Sequence, residues 1–178
     1  MRKDVTLKIT PEMMRNANAS LMGHLGTHFD VMNREFPLEY TEREAIIFDV
    51  SEIKGTEIDV DDIDLSLVKE GMFVGFYTGF IEEKGYGSDA YRHEHPVLSH
   101  ELIDALLERR ISIIGIDFAG IRRGKEHTPA DQHCADHEVF VVENLCGLKD
   151  VPRHCLMHVY PMNCSGITGL PCRVIAEY

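Results

Sequence analysis

Apolar residues along this chain fall mostly in runs of four to six between turn signals, not at the spacing of amphipathic helices. Segments 45–50, 72–77, 111–116, 139–142 and 156–160 read as buried strands, and 172–176 closes the chain with another. Short apolar runs bounded by turn residues favour strands. Val5 to Ile9 alternates apolar and polar residues, as an edge or half-buried strand does. One helix is clear. Ser99 is a good N-cap, Glu101 suits the first turn, and Arg109 and Arg110 lie near the negative end. Leu102, Ile103, Leu106 and Leu107 share one face of it. A shorter helical turn is expected over 62–69, capped by Asp61 or Asp62. Segments 80–96 and 119–138 are polar and too long for simple turns, so they read as long loops of the kind that build sites. The pattern predicts a strand-rich α/β core with few helices, no internal repeat and no low-complexity linker.

Composition adds limits to that picture. The 178 residues suggest a single domain spanning 1–178. A chain of this size buries roughly 70% of its unfolded surface and needs no staples. The net charge is -12, from 30 acids against 18 bases, which works against phosphate backbones and a nucleic-acid role. Part of the acidic excess can serve as metal ligands. Cys134, Cys146, Cys155, Cys164 and Cys172 are odd in number, and no pair has C-x-x-C spacing. That argues against a zinc finger or a disulfide framework and for reduced thiols in a cytoplasmic protein. No signal-peptide core opens the chain, and no apolar run approaches the ~20 residues that span a bilayer, so no membrane partner is expected.

The segment from Gly23 to Asp30 concentrates candidate chemistry. His24, His28 and Asp30 offer imidazole nitrogens and a carboxylate, a donor set suited to zinc or manganese. In an extended chain these three share one side, with Thr27 and Phe29 on the other. Gly23 and Gly26 permit a bend that converges them. Asp30 can bridge two ions, one oxygen to each. Glu143 is the best further ligand, since it ends an apolar strand where an unpaired charge is costly to bury. Asp131 and His133 lie on the segment leading into that strand. Such groupings also occur in exposed loops by chance. His93 and His95 read more simply as solvated loop residues, His154 and His158 as packed or surface residues, and Asp117 as a turn former or cap.

These residues resemble the cyclase family, which includes bacterial kynurenine formamidases and carries the pattern H-x-G-T-H-x-D-x-P-x-H. His24-Leu25-Gly26-Thr27-His28-Phe29-Asp30 matches its first seven positions. Further landmarks follow in family order: Tyr77-Thr78-Gly79, His95-Pro96-Val97-Leu98-Ser99, the strand ending Gly115-Ile116-Asp117, Val141-Val142-Glu143-Asn144-Leu145, and Pro171-Cys172-Arg173-Val174-Ile175-Ala176. The likeness runs from about Leu21 to the end of the chain. It implies the family's swivelling β/β/α fold. It also implies that His24, His28 and Asp30 bind metal with Asp30 bridging, and that Glu143 serves a second ion. The family places a histidine twelve positions before that glutamate; here the position is Asp131, with His133 an alternative only in a shorter loop. The family's proline falls on Met32, and its last histidine, thought to act in proton transfer, falls on Arg34.

The resemblance implies a hydrolase of an amide-type C–N bond, such as a formamide or cyclic amide, with one or two zinc or manganese ions. Arg34 is a poor proton shuttle but can clamp a carboxylate or stabilise an oxyanion. Glu143 or Asp131 then carries the proton to the leaving nitrogen. The substrate is a small molecule: an N-formyl arylamine, a cyclic amide or a lactone. One rival is a metal-holding binding protein without catalysis. Another is a purely structural role for the histidines. The apolar stretch 36–40 beside the site, with family habit, leads to the expectation of a homodimer or homotetramer.

Overall fold

The computed structural model describes residues 1–7, 23–53, 55–164 and 166–178. Its main sheet closes into a ring. The strands are β1 (Arg2–Asp4), β2 (His28–Asp30), β3 (Glu42–Asp49), β5 (Phe73–Tyr77), β7 (Ile113–Ile116), β8 (Phe140–Glu143), β9 (His154–Pro161) and β10 (Gly169–Glu177). They run in the order β1-β10-β2-β8-β7-β5-β3-β9, and a further β9–β10 pairing closes the barrel. The strands β3, β5, β7 and β8 are mutually parallel, and the remaining pairings are antiparallel. A two-stranded parallel ribbon joins β4 (Glu57–Ile58) to β6 (Val97–Leu98). The helices are α1 (Phe80–Lys84), α2 (Asp89–His93), α3 (His100–Glu108) and α4 (His127–Asp136).

Strand periodicity divides the core in two. Ala45, Ile47, Phe73, Ile113, Phe140 and Val142 point into the barrel. Ile46, Phe48, Val74, Phe76, Ile114 and Val141 point outward, against Leu102, Ile103, Leu106 and Leu107 of α3. Both faces of these strands are covered, which is why they appear in the sequence as continuous apolar runs. Ser99 caps α3 as expected, accepting the Leu102 N–H at 3.0 Å. The observed architecture is therefore the strand-rich α/β fold expected from the sequence. Among the described residues, no helix is long and apolar enough to cross a membrane.

Three local expectations change. The first strand lies earlier, at Arg2–Asp4; Val5 and Thr6 continue its pairing through Val174 and Leu145, while residues 8 and 9 fall outside the described residues. The turn over 62–69 is two separate 3-10 turns, Val60–Asp62 capped by Asp59 and Leu65–Leu67 capped by Asp64. The Asp64 side chain accepts the Ser66 N–H and restarts the turn, with Ile63 extended between the two. Most important, 80–96 and 119–138 are not open loops. They contain α1, α2 and α4. The face that α4 buries consists of Ala130, Asp131, Cys134 and Ala135, so it lacks the large apolar stripe by which a helix is recognised.

Asp117 does more than form a turn. Its buried carboxyl accepts the Thr78 N–H (2.9 Å), the Thr78 hydroxyl (2.6 Å) and the Gly79 N–H (2.6 Å). This fastens the ends of the parallel neighbours β5 and β7. Burial pushes the carboxyl up to about 7 despite those donors.

Inside the barrel, Gly75 and Gly115 are paired across β5 and β7. A Cβ at Gly115 would lie 2.3 Å from Phe73 Cζ. Gly115→Ala is therefore expected to destabilise the fold by about 1–3 kcal/mol through overpacking. The check is a shift of the urea midpoint to lower concentration; an unchanged midpoint would contradict this packing.

Candidate metal centre

β2 places the first candidate ligands. It is held between β10 and β8, with His28 opposite Glu143 and Asp30 opposite Val141. Phe29 is fully buried in the barrel, so alternation turns His28 and Asp30 outward with Glu143. On that outer face they meet α4. His24 arrives from the bend before β2, where a side chain at Gly169 of β10 would come within 2.6 Å of its Nε2.

The result is two groups of potential metal ligands that share one carboxylate. His24, His28 and Asp30 form one, and Asp30, His127 and Glu143 the other, with the donor atoms of each group within 4.8 Å of one another. Asp30 thus sits where a bridging ligand was expected. His24 Nε2 lies 3.3 Å from Asp30 Oδ1, and His28 Nε2 lies 3.7 Å from Asp30 Oδ2 and 3.6 Å from Glu143 Oε2. His127 Nε2 lies 3.2 Å from Asp131 Oδ2 and 3.3 Å from Glu143 Oε1.

His127 is the residue that sequence reasoning missed. Asp131 was expected at the family's histidine position, and it is in the cluster and buried. However, the imidazole that reaches Asp30 and Glu143 comes from one helical turn earlier on α4. The spacing His127-x-x-x-Asp131 puts both on one face of a helix, a signal usable only once 127–136 is recognised as helical. His133, the alternative, points away and pairs with Asp104 of α3 at 2.9 Å. Arg34 is not gathered into the cluster either. Its guanidinium donates to Asp136 at 2.9 Å, near the exposed end of α4. His95 is buried, stacks on Phe118 and bonds to the Pro96 carbonyl through Nδ1. His158 lies between Glu42 and Glu177, and His93 and His154 are exposed.

The electrostatics suit a cation. Burial drives the Glu143 carboxyl well above its ordinary value, and the neighbouring Asp30 drives it further. Burial also raises Asp131, to about 6. Burial acts on Asp30 in the same direction, but His24, His28 and His127 outweigh it and hold Asp30 below its ordinary value. Asp131 and Glu143 push the His127 imidazole up to about 11. Burial pushes His28 down, toward the neutral form that binds metal. Asp30 Oδ2, Asp131 Oδ1 and Glu143 Oε1 are buried without a hydrogen-bond partner. Orphaned acceptors of this kind are costly, and a divalent cation among them satisfies the oxygens and offsets their charge. The nitrogen and carboxylate donors fit zinc or manganese.

A groove of about 890 Å³ opens beside the cluster, walled by residues of segments 31–38, 160–164 and 166–170. Thr168 on its wall brings Oγ1 to 3.4 Å from His24 Nε2. Its rim carries exposed apolar side chains, among them Leu38, Tyr160 and Met162.

The Cyclase family profile matches residues 3–122, and the chain belongs to that family. The match includes His24, His28 and Asp30 and stops short of α4 and β8. No curated protein matches the chain. Among solved structures, it resembles a potential metal-dependent hydrolase with cyclase activity (26% identity, 99% of this chain and 96% of that one, TM-score 0.80). It equally resembles a predicted metal-dependent hydrolase from Bacillus stearothermophilus (26% identity, 99% and 97%, TM-score 0.78). Isatin hydrolase A from Labrenzia aggregata shares the fold at 22% identity (85% and 72%, TM-score 0.72).

Because His127 holds its proton up to about 11 in the metal-free cluster, and burial raises Asp131 and Glu143, a cation entering at neutral pH must expel protons. Metal affinity is expected to fall as pH is lowered from 8 to 6. Calorimetric titration with zinc or manganese in buffers of different ionisation enthalpy measures the protons released. Uptake with no release, and an affinity independent of pH, would contradict this arrangement.

Proposed function

We propose that the chain hydrolyses an amide-type C–N bond, in a formamide or a cyclic amide, with one or two divalent ions of zinc or manganese. The observation that carries this reading is the buried cluster around Asp30, where carboxylate oxygens without partners face imidazole nitrogens. The relatives named as metal-dependent hydrolases support the reaction class. Isatin is itself a cyclic amide, which puts that substrate class among those to test.

A bound divalent ion supplies a water-derived nucleophile at neutral pH and polarises the acyl oxygen. His24, His28 and Asp30 would hold one ion, and Asp30, His127 and Glu143 would hold a second. Asp131 meets the same His127 Nε2 that faces Glu143, so it stands on the cation side of the ring as a further carboxylate for that ion. Glu143 and Asp131 are the groups able to pass a proton to the leaving nitrogen. The apolar body of the substrate lies in the groove beside His24. Arg34, on the groove wall, can leave Asp136 to hold a substrate carboxylate or steady the acyl oxygen. The exposed apolar rim supports association into a homodimer or homotetramer.

A second reading has one observation in its favour. The family's proton-transfer histidine is replaced by Arg34, and Arg34 is engaged by Asp136. A metal-holding protein that binds a small acid without turning it over is consistent with that exchange.

Turnover separates the two. Protein loaded with zinc or manganese is expected to hydrolyse at least one of an N-formyl arylamine, a cyclic amide or a lactone, with loss of activity on chelation and in His28→Ala. Loaded wild type that binds these compounds but turns over none of them would overturn the hydrolase reading in favour of the binding protein.

A further inference from the structure

The part of the cluster least exposed to solvent is wired to a tyrosine outside it. Asn144 follows Glu143 directly and is almost fully buried, with a left-handed backbone (φ 60°) uncommon for a residue other than glycine. Its side chain lies between Tyr91 and the ligand segment. Tyr91 Oη is 2.5 Å from Asn144 Oδ1, while Asn144 Nδ2 donates to the Gly26 carbonyl at 2.9 Å and lies 3.3 Å from His28 Nδ1. An amide oxygen cannot donate, so the tyrosine hydroxyl does. The reversed amide would set oxygen against the Gly26 oxygen at the same distance. Burial pushes the Tyr91 hydroxyl far above its ordinary value, so it remains a donor.

The Gly26 carbonyl is therefore fixed in direction. Its own N–H donates to Tyr86 Oη at 2.9 Å, and its φ of 69° is one that glycine adopts freely. His28 Nδ1 lies 3.0 Å from that carbonyl oxygen. A protonated Nδ1 donates there, and Nε2 then turns a lone pair toward Asp30 and Glu143. An amide hydrogen aimed at Nδ1 instead would put the ring proton on Nε2, where a cation must bind.

We propose that Tyr91 and Asn144 are positioning residues that orient the Gly26 carbonyl and the His28 ring so that Nε2 presents its lone pair to the divalent cation. Tyr91 acts through Asn144, by holding its amide in one of two orientations. The inference rests on the metal reading of the cluster and goes beyond its ligands.

The test is the affinity for zinc and for manganese, each metal alone, measured by competition with a chromophoric chelator. Wild type, Tyr91→Phe, Asn144→Gly and the double variant are compared, glycine being chosen because it tolerates the backbone at position 144. Each single variant is expected to bind 10- to 100-fold more weakly. The double variant is expected to bind no more weakly than Asn144→Gly alone, since one residue works through the other. Tyr91→Phe within twofold of wild type, or losses that add in the double variant, would overturn the proposal while leaving the metal centre standing. Wild type that binds neither metal would overturn the metal reading itself. Should a variant fail to fold, ring nitrogen NMR of wild-type protein loaded with zinc decides. Metal on Nε2 of His28 with a proton on Nδ1 is the expected result, and ligation through Nδ1 the contrary one.

Discussion

Asp30, Asp131 and Glu143 are all buried, with Asp30 close enough to raise the other two carboxyls further, and this concentration of carboxyl groups is the constraint around which the molecule is organised. Charges taken out of water in such number are tolerated only when paired or bound to metal. Imidazoles provide part of the pairing. His127 lies against Asp131 and Glu143, and His24 and His28 lie against Asp30. The pairing is incomplete, since one oxygen of each carboxylate has no hydrogen-bond donor. Such an arrangement trades stability of the metal-free chain for a site into which a divalent cation fits.

The barrel supplies the rigidity this requires. β2 is only three residues long, yet it is clamped between β8 and β10. The register that sets His28 opposite Glu143 is fixed on the other face by Phe29, Val142 and Leu170 in the core. A slip of one residue would bury His28 and Asp30 in the barrel and expose the phenyl ring. α4 completes the site as a separate layer, bringing His127 and Asp131 over the outer face of β2 and β8. The Arg34–Asp136 and Asn33–Gln132 contacts join the loop after β2 to the outer side of that helix.

Most of the strands were legible because the main sheet is covered on both faces, which leaves an unbroken apolar run in the sequence for each of β3, β5, β7 and β8. The triad on the segment from Gly23 to Asp30 was legible for a different reason: its candidate ligands are neighbours in sequence, and alternation alone gives them a common side. α4 was not legible. It packs through Ala130, Cys134 and Ala135, and a helix buried through small residues and a carboxylate lacks the periodicity that distinguishes it from a loop. With that helix unseen, His127 had no reason to be singled out, although Asp131 was recognised through the family spacing. The Tyr91–Asn144 contact was beyond reach, because residues 53 positions apart meet only in the folded chain.

Thermal unfolding of wild type and Asp30→Asn, with and without added zinc or manganese, tests most directly whether the buried carboxylates form a cation site. At a hundredfold excess over Kd, an ion that binds only the folded chain adds about 2.7 kcal/mol. The wild-type midpoint is then predicted to rise by roughly 5–10 °C. Removing the shared ligand should abolish most of that rise. A wild-type midpoint unmoved by either metal, or a rise of equal size in Asp30→Asn, would contradict the account.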